Sequence, residues 1–155
     1  MKIVVLSVGR VRQRFVLDAE GEYLQRIKGS FQVELVELGM ESPESMKPAE
    51  VQAREAEEVL KKTKNYDYLV VLDEIGKEMS SKALSEFVQT RMNSGVKSVC
   101  FVIGGAYGFA EKVRQEADLI LSLSALTFPH QLTRMLLVEQ LYRSHTLIKG
   151  ISYHK

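Results

Sequence analysis

The chain has 155 residues, the length of one ordinary domain, and 45% of them are hydrophobic while 26% are charged. This composition supports a sizeable core and argues against wholesale disorder. The net charge is +1, so any binding of nucleic acid must depend on a local patch. The one cysteine, Cys100, excludes an intrachain disulfide, and its apolar setting predicts a buried, inert thiol.

Strand and helix patterns alternate from the first residues onward. The opening run MKIVVLSVGR reads as a strand that is too short and too poorly flanked to be a signal peptide. Strands are predicted at residues 3–8, 31–38, 66–72, 98–103 and 118–123. Helices are predicted at residues 11–28, 49–64, 81–94, 110–116 and 129–149, with Gly29 as a C-cap of the first and Ser80 or Ser81 as the N-cap of the third.

This alternation predicts an α/β fold with a mostly parallel sheet of about five or six strands and helices on both faces. The run at 98–103 is the most uniformly apolar and is expected at the centre of the sheet. No linker or repeat interrupts the pattern, so we interpret residues 1–155 as a single domain. No stretch approaches the roughly 20 apolar residues that span a bilayer, which favours a soluble, cytoplasmic protein without membrane contact.

Ligands of open α/β sheets collect at the carboxyl ends of the strands. Three such ends stand out here, at residues 72–77, 104–108 and 121–128. The glycine segment Gly104-Gly105-Ala-Tyr-Gly108 matches neither the dinucleotide fingerprint nor a P-loop, and a tight turn without a ligand remains an alternative. Asp73 and Glu74 are adjacent on a strand and would point in opposite directions, so they make a weak catalytic pair.

The third strand end, LSLSALTF, carries no charge. It can offer backbone groups and small side chains, which suit adenine or another flat, uncharged heterocycle. Thr127 is predicted to cap the last helix, with Pro129 in its first turn and His130 neutral near the positive helix end. The alternative is a capping element that only ends a strand and begins a helix.

The last helix has apolar residues on more than one face, which favours a second partner, and a two-fold homodimer is the commonest solution. A helix buried twice within one domain is the alternative. From Arg134 to the end, four basic residues and one acid give a local charge of +3, and Tyr142 and Tyr153 add aromatic rings. Bases with aromatics fit single-stranded or looped RNA, although a merely solubilising tail remains open.

Two enzyme classes lack their signatures. His130, His145 and His154 do not show the ligand spacing of a zinc site, so no metal is expected. No GxSxG element is present, which argues against a hydrolase nucleophile elbow.

Taken together, FVIGGAYGF, LSLSALTFPHQLTRMLLVEQLYR and the terminal ISYHK resemble the small SPOUT-class, or α/β-knot, methyltransferases of the ribosomal RNA large subunit methyltransferase H type. The opening MKIVVLSVGR and the segment VVLDEIGKEMSS extend this resemblance to essentially the whole chain. The middle of GGAYGF is a position at which members of the family vary.

The resemblance implies an enzyme that uses S-adenosyl-L-methionine to methylate N3 of a pseudouridine in a 23S rRNA stem-loop on the assembled ribosome. It also implies a C-terminal trefoil knot and a homodimer with cofactor sites near the subunit interface. Carried onto this sequence, the cofactor contacts fall on Leu72, Gly104, Gly105, Leu123, Ser124, Ala125, Leu126, Thr127 and Phe128.

The target nitrogen carries a proton that must leave, so a base or a polarised environment is required. Our hypothesis is that His154 is the catalytic base, that Tyr153 places the RNA base and that Arg143 holds phosphate, with a contribution across the dimer. Two alternatives are an RNA- or ribosome-binding module without turnover and a flavodoxin-like nucleotide binder, for which no phosphate loop is present.

Overall fold

The computed structural model describes residues 1–40 and 45–153. Its strands are β1 (Lys2–Val8), β2 (Gln32–Leu38), β3 (Tyr68–Glu78), β4 (Ser98–Ile103) and β5 (Leu119–Ser122). Its helices are α1 (Arg14–Arg26), α2 (Pro48–Thr63), α3 (Ser81–Asn93), α4 (Glu111–Gln115) and α5 (His130–Lys149).

The five strands form one parallel sheet in the order β2-β1-β4-β3-β5. This confirms the predicted α/β class, and β4 occupies the central position expected for the most apolar run. Cys100 on β4 is fully buried, and burial raises the pKa of its thiol to about 12. The predicted trefoil knot stays a prediction.

Helices cover both faces of the sheet because alternate strand residues point to opposite sides. Ile3 and Val5 of β1 face a core shared with α1, α3 and α5, whereas Val4 and Leu6 face a core shared with α2 and α4. The result is a three-layer arrangement with the carboxyl ends of all strands at one edge.

Two helix ends differ from the prediction. α1 begins at Arg14 because residues 9–13 form a loop, in which Gly9 has a φ of 90° and Val11 is buried. It ends at Arg26, so Gly29 is not its cap; Ile27 leaves the helix in an extended conformation and enters the core. The predicted cap of α3 is confirmed, since the Ser80 hydroxyl accepts the Ala83 amide at 3.1 Å.

The predicted N-cap of the last helix is wrong. Pro129 occupies the N-cap position of α5, with a non-helical ψ of 139°, and no side chain caps the helix. The Thr127 hydroxyl instead donates to Glu74 at 2.8 Å.

β3 is longer than predicted and continues to Glu78. Its pairing with β5 is interrupted, because both Leu72 and Lys77 lie opposite Leu121. Residues 73–76 of β3 therefore do not pair with β5, and they lie at the carboxyl edge of the sheet.

α5 lies against both α1 and α3 and buries residues on several sides of the helix. Packing within one chain therefore accounts for many of the apolar residues on the several faces of α5. This agrees with the alternative of a helix buried twice within one domain. Leu132, Met135 and Leu136 remain half-buried. The homodimer stays a prediction.

Candidate functional site

A cavity of about 730 Å³ opens at the carboxyl edge of the sheet. Its wall consists of the part of β3 at which pairing with β5 is interrupted and of the residues that follow β4 and β5, completed by Arg114 of α4 and by His130 and Thr133 of α5. The three strand ends singled out in the sequence therefore meet at one place, because parallel strands present their carboxyl ends at the same edge.

Most residues predicted to contact a cofactor line this one cavity. The lining includes Leu72, Gly104, Gly105, Leu123, Ser124, Leu126, Thr127 and Phe128. Ala125 is exposed and is not part of the lining. That these residues bind a cofactor stays a prediction.

An ion pair fixes the interrupted part of β3 against α4. The Arg114 guanidinium donates to Asp73 Oδ2 from Nε at 2.9 Å, with Nη2 at 2.8 Å from the same oxygen. Its Nη1 donates to the Phe109 carbonyl at 2.8 Å, so the same side chain also holds the glycine segment. The Asp73 charge is therefore neutralised inside the wall, where its carboxylate is only 9% exposed.

Glu74 joins the interrupted part of β3 to the segment after β5. Its carboxylate accepts the Thr127 hydroxyl at 2.8 Å and is exposed at the cavity rim. Among the described residues it has no cationic partner. Asp73 and Glu74 thus have separate partners, as expected for neighbours on a strand, and the rim carries an uncompensated negative charge.

The glycine segment rests on α2. Gln52 donates to the Tyr107 carbonyl at 2.5 Å, and a Cβ built on Gly105 would lie 2.7 Å from a carboxylate oxygen of Glu55. Burial raises the pKa of this Glu55 carboxyl. The absence of a side chain at Gly105 leaves room for the Glu55 carboxylate beside the segment.

His130 lies between the cavity and the β1–α1 loop. A Cβ built on Gly9 would lie 3.5 Å from Nε2 of His130. This Nε2 atom is buried and has no hydrogen-bond partner within residues 1–40 and 45–153. His145, by contrast, is a core residue whose Nδ1 lies 2.8 Å from the Ser30 hydroxyl.

The residues predicted to contact RNA are not brought to the cavity within one chain. Arg143 follows His130 by thirteen positions in α5, which corresponds to about 20 Å along the helix. Its guanidinium lies 5.0 Å from the centre of the Tyr153 ring and pairs with Glu139 at 2.6 Å. The hydrogen bond to Glu139 raises the Arg143 pKa. His154, the predicted base, lies outside the described residues.

The ring of Tyr142 is not available for stacking on RNA. It is buried between Tyr23, at 5.6 Å, and Tyr153, at 4.7 Å. Tyr153 is half-buried, and desolvation is the largest cause that raises the pKa of its hydroxyl.

Sequence reasoning missed the role of Arg114 in the wall. A lone arginine on a five-residue helix gives no periodic signal, and its position shortly after the glycine segment was the only available hint. Only the third strand end was predicted to be free of charge; the two carboxylates of the wall, Asp73 and Glu74, come from the first strand end, and the guanidinium comes from α4.

A family model described as "Predicted SPOUT methyltransferase" matches residues 1–154 of the chain. The chain belongs to the SPOUT methyltransferase family. Two similar relatives are both named ribosomal RNA large subunit methyltransferase H. That of Acetivibrio thermocellus is 40% identical with 100% of each chain covered, and that of Caldicellulosiruptor saccharolyticus is 39% identical with 99% of each covered.

Solved structures share the fold of this SPOUT family member. A probable methyltransferase from Bordetella pertussis superposes with a TM-score of 0.58 at 11% identity, covering 92% of this chain and 95% of that one. A probable methylase family protein from Haemophilus influenzae gives a TM-score of 0.53 at 12% identity, with 99% and 70% covered. At these identities, the likeness concerns the fold alone.

Two further properties follow from the described part of the chain. None of its helices combines the length and apolar character needed to cross a membrane. Its histidines, cysteine, aspartates and glutamates do not form a group of three or more that could hold a metal ion.

Proposed function

We propose that this SPOUT family member transfers a methyl group from S-adenosyl-L-methionine to ribosomal RNA, at N3 of a pseudouridine in a 23S rRNA stem-loop of the assembled ribosome. The observation that carries the proposal is the cavity at the carboxyl edge, where three separately predicted segments meet. The names of the relatives support the rRNA substrate, and the pseudouridine follows from the resemblance in sequence.

The cavity fits the cofactor in size and charge. Its volume of about 730 Å³ is in the range of small-molecule sites. The Asp73 charge is already paired, so the Glu74 carboxylate is the charge left to meet a ligand. A cationic sulfonium and an ammonium group suit this rim, whereas the phosphates of a flavin or dinucleotide would be repelled.

When bound, S-adenosyl-L-methionine supplies an electrophilic methyl group that needs alignment more than activation. The residues of this chain provide that alignment. Arg114 holds Asp73 and the glycine segment together, and Thr127 ties the segment after β5 to Glu74. Leu72 and Leu121, both buried, contribute apolar surface to the wall of the cavity.

The proton on the target nitrogen requires a base, for which His154 is the candidate. Arg143 lies about 20 Å along α5 from His130 at the cavity of its own chain, and the Tyr153 ring lies beside Arg143. We therefore propose a homodimer in which the tail of one subunit serves the cavity of the other. The half-buried Leu132, Met135 and Leu136 of α5 offer an apolar stripe for such a contact.

Calorimetric titration with S-adenosyl-homocysteine tests the cofactor site. We expect the wild type to bind and Gly104→Val to lose most of the affinity, because its side chain would occupy the space between the cavity and Phe109, 3.1 Å away. Ala53→Val adds bulk on the exposed side of α2 and is the matched control. Absence of binding by the folded wild type would refute the proposal.

Tritium-methyl transfer tests the substrate, with assembled ribosomes compared against free rRNA. We expect incorporation into ribosomes, and mass mapping of the product should place the methyl group on a pseudouridine of 23S rRNA. Ribosome binding without incorporation would instead favour a binding module that kept the fold.

We also propose that residues 1–155 act as one methyltransferase domain. An enzyme that modifies assembled ribosomes would work where they are found, which is the basis for proposing a cytoplasmic location.

A further inference from the structure

The loop between β1 and α1, together with the first residues of α1, carries a cluster of positive charge. The segment Arg10-Val-Arg-Gln-Arg-Phe15 contains three arginines, no acid and one aromatic residue. Arg10, Arg12 and Phe15 are all exposed, and the Phe15 side chain is 58% accessible to solvent. Sequence patterning alone predicts a helix from residue 11 onward and gives these residues no function.

Backbone contacts hold the loop in one conformation. Gln131 accepts the amides of Arg12, at 2.9 Å, and Gln13, at 3.1 Å. The Val11 amide donates to Glu37 at 3.1 Å, while the Val11 side chain is buried. The two exposed arginines therefore project from a fixed backbone, so less conformational entropy is lost when they bind a partner.

Two acids of the described neighbouring segments already have cationic partners. Glu37 lies 2.7 Å from the buried Arg134, and Asp18 pairs with Arg14 at 3.0 Å. Within the part of the chain that the structure describes, Arg10 and Arg12 form no ion pair. Among these described residues no carboxylate neutralises the two charges, which can therefore meet an external anion.

The loop lies beside the mouth of the cavity. Gln131, which holds it, directly follows His130; His130 lines the cavity, and a Cβ built on Gly9 of the loop would lie 3.5 Å from its Nε2. A polyanion that reaches the cavity along this edge of the sheet would therefore pass the arginines.

Resting on the proposed function, we infer that Arg10, Arg12 and Phe15 form an RNA-docking element of this enzyme. Arg10 and Arg12 contact phosphates of the rRNA substrate beside the cavity, and Phe15 stacks on an unpaired base. Looped RNA is recognised by this combination, because its backbone offers phosphates and its splayed bases offer flat faces.

The first test measures ribosome binding as a function of salt. The double variant Arg10→Ala/Arg12→Ala should bind ribosomes about tenfold more weakly, and the slope of log affinity against log salt should become shallower by about 1.4. Lys61→Ala/Lys62→Ala removes the same charge from exposed positions of α2 and should match the wild type. Equal loss in the two double variants, or none in either, would overturn the inference.

The second test separates stacking from a general apolar contact. Phe15→Ser should weaken ribosome binding about tenfold, whereas Phe15→Tyr should retain it. Leu17→Ser removes the neighbouring exposed apolar residue of α1, 42% accessible, and should have little effect. If Phe15→Ser shifted the sedimentation of the free protein and left ribosome binding unchanged, the segment would be a protein contact and the inference would be wrong.

Cofactor binding distinguishes this inference from the proposed function. All variants should bind S-adenosyl-homocysteine like the wild type and reach its methylation rate at saturating ribosomes. Loss of cofactor affinity in the arginine variants would contradict a docking role. Failure of the wild type to transfer methyl groups would overturn the proposed function, while the ribosome-binding comparison would still decide the role of the loop.

Discussion

Gly76 lies where β3 passes the backbone of β5 too closely for any side chain. A Cβ at this position would come within 2.7 Å of the Ile120 carbonyl group and of the Leu121 carbonyl carbon. Both contacts are backbone atoms in a strand, so they cannot rotate away as a flexible side chain would. Gly76 is therefore required by the path of β3 along the cavity wall.

We expect Gly76→Ala to lower the free energy of unfolding by about 1–3 kcal/mol, measured by urea denaturation. Gly21→Ala provides the matched control, because Gly21 lies within α1 and a Cβ there meets nothing within 4 Å. This control should stabilise the protein by about 0.5–1 kcal/mol, since alanine favours the helix. Equal effects of the two substitutions would contradict the close approach.

His145 links the stability of the protein to pH. Burial, together with the nearby Lys149, lowers the pKa of this imidazole below its ordinary value of 6.5. The unfolded chain therefore binds the proton more readily, so stability is lost as pH falls below about 6.5 and is fully present above it. Its hydrogen bond to Ser30 ties the effect to the end of α1 and the start of β2.

The variant His145→Gln should flatten this dependence between about pH 5 and pH 7. The measurement is the free energy of unfolding in urea at several pH values, with the difference between wild type and variant plotted against pH. A constant difference across this range would show that the His145 imidazole does not contribute to the pH dependence.

At the scale of elements, a buried ion network joins α5 to α1 and to the sheet. Arg134 forms two hydrogen bonds of 2.7 Å with Glu20 of α1 and one of 2.7 Å with Glu37 of β2. The side chains of Arg134 and Glu20 are each only 2% exposed. Because Arg134 lies one turn beyond His130, this network also sets the position of α5 at the cavity.

Removing one member of such a pair leaves a buried charge without a partner. We expect Arg134→Leu to lower the free energy of unfolding by about 3–5 kcal/mol. The double variant Arg134→Leu/Glu20→Leu should recover part of this loss, which a double-mutant cycle would measure. Additive losses would mean that the two side chains are not coupled.

The helices and strands could be predicted from the sequence, whereas the side-chain contacts in the cavity wall could not. Periodicity located all five strands and five helices, because burial imposes a period of two or 3.6 on each. It could not predict that Thr127 bonds Glu74, since that contact joins positions 53 residues apart. The same limit applies to the Arg114–Asp73 pair and to the extension of β3, which depend on how β5 lies beside it.

At the scale of the whole molecule, α5 separates the two predicted halves of the reaction site. It begins at the cavity with His130 and ends near Tyr153, which packs on Tyr142 beside Tyr23. Arg143 lies on this far part of the helix. If Arg143 and Tyr153 contact the substrate beside the methyl donor, they must do so at the cavity of a second copy.

Mixing two inactive variants tests this arrangement. Gly104→Val should disable the cavity, and Tyr153→Ala/His154→Ala should disable the tail. If the tail serves the partner's cavity, each mixed dimer has one intact combination of cavity and tail. After equal mixing and subunit exchange, half of the dimers are mixed, so methylation of ribosomes should return to about a quarter of the wild-type rate.

The same mixture distinguishes the alternative in which each tail serves its own cavity. A mixed dimer would then contain one subunit without a cavity and one without a tail, and no methylation would return. The control is Leu136→Glu, placed in both variants to put a charge on the half-buried stripe of α5. It should abolish the recovery and give monomers in sedimentation, because a buried unpaired carboxylate opposes association. Recovery that survives this substitution would mean that the α5 stripe is not the contact between subunits.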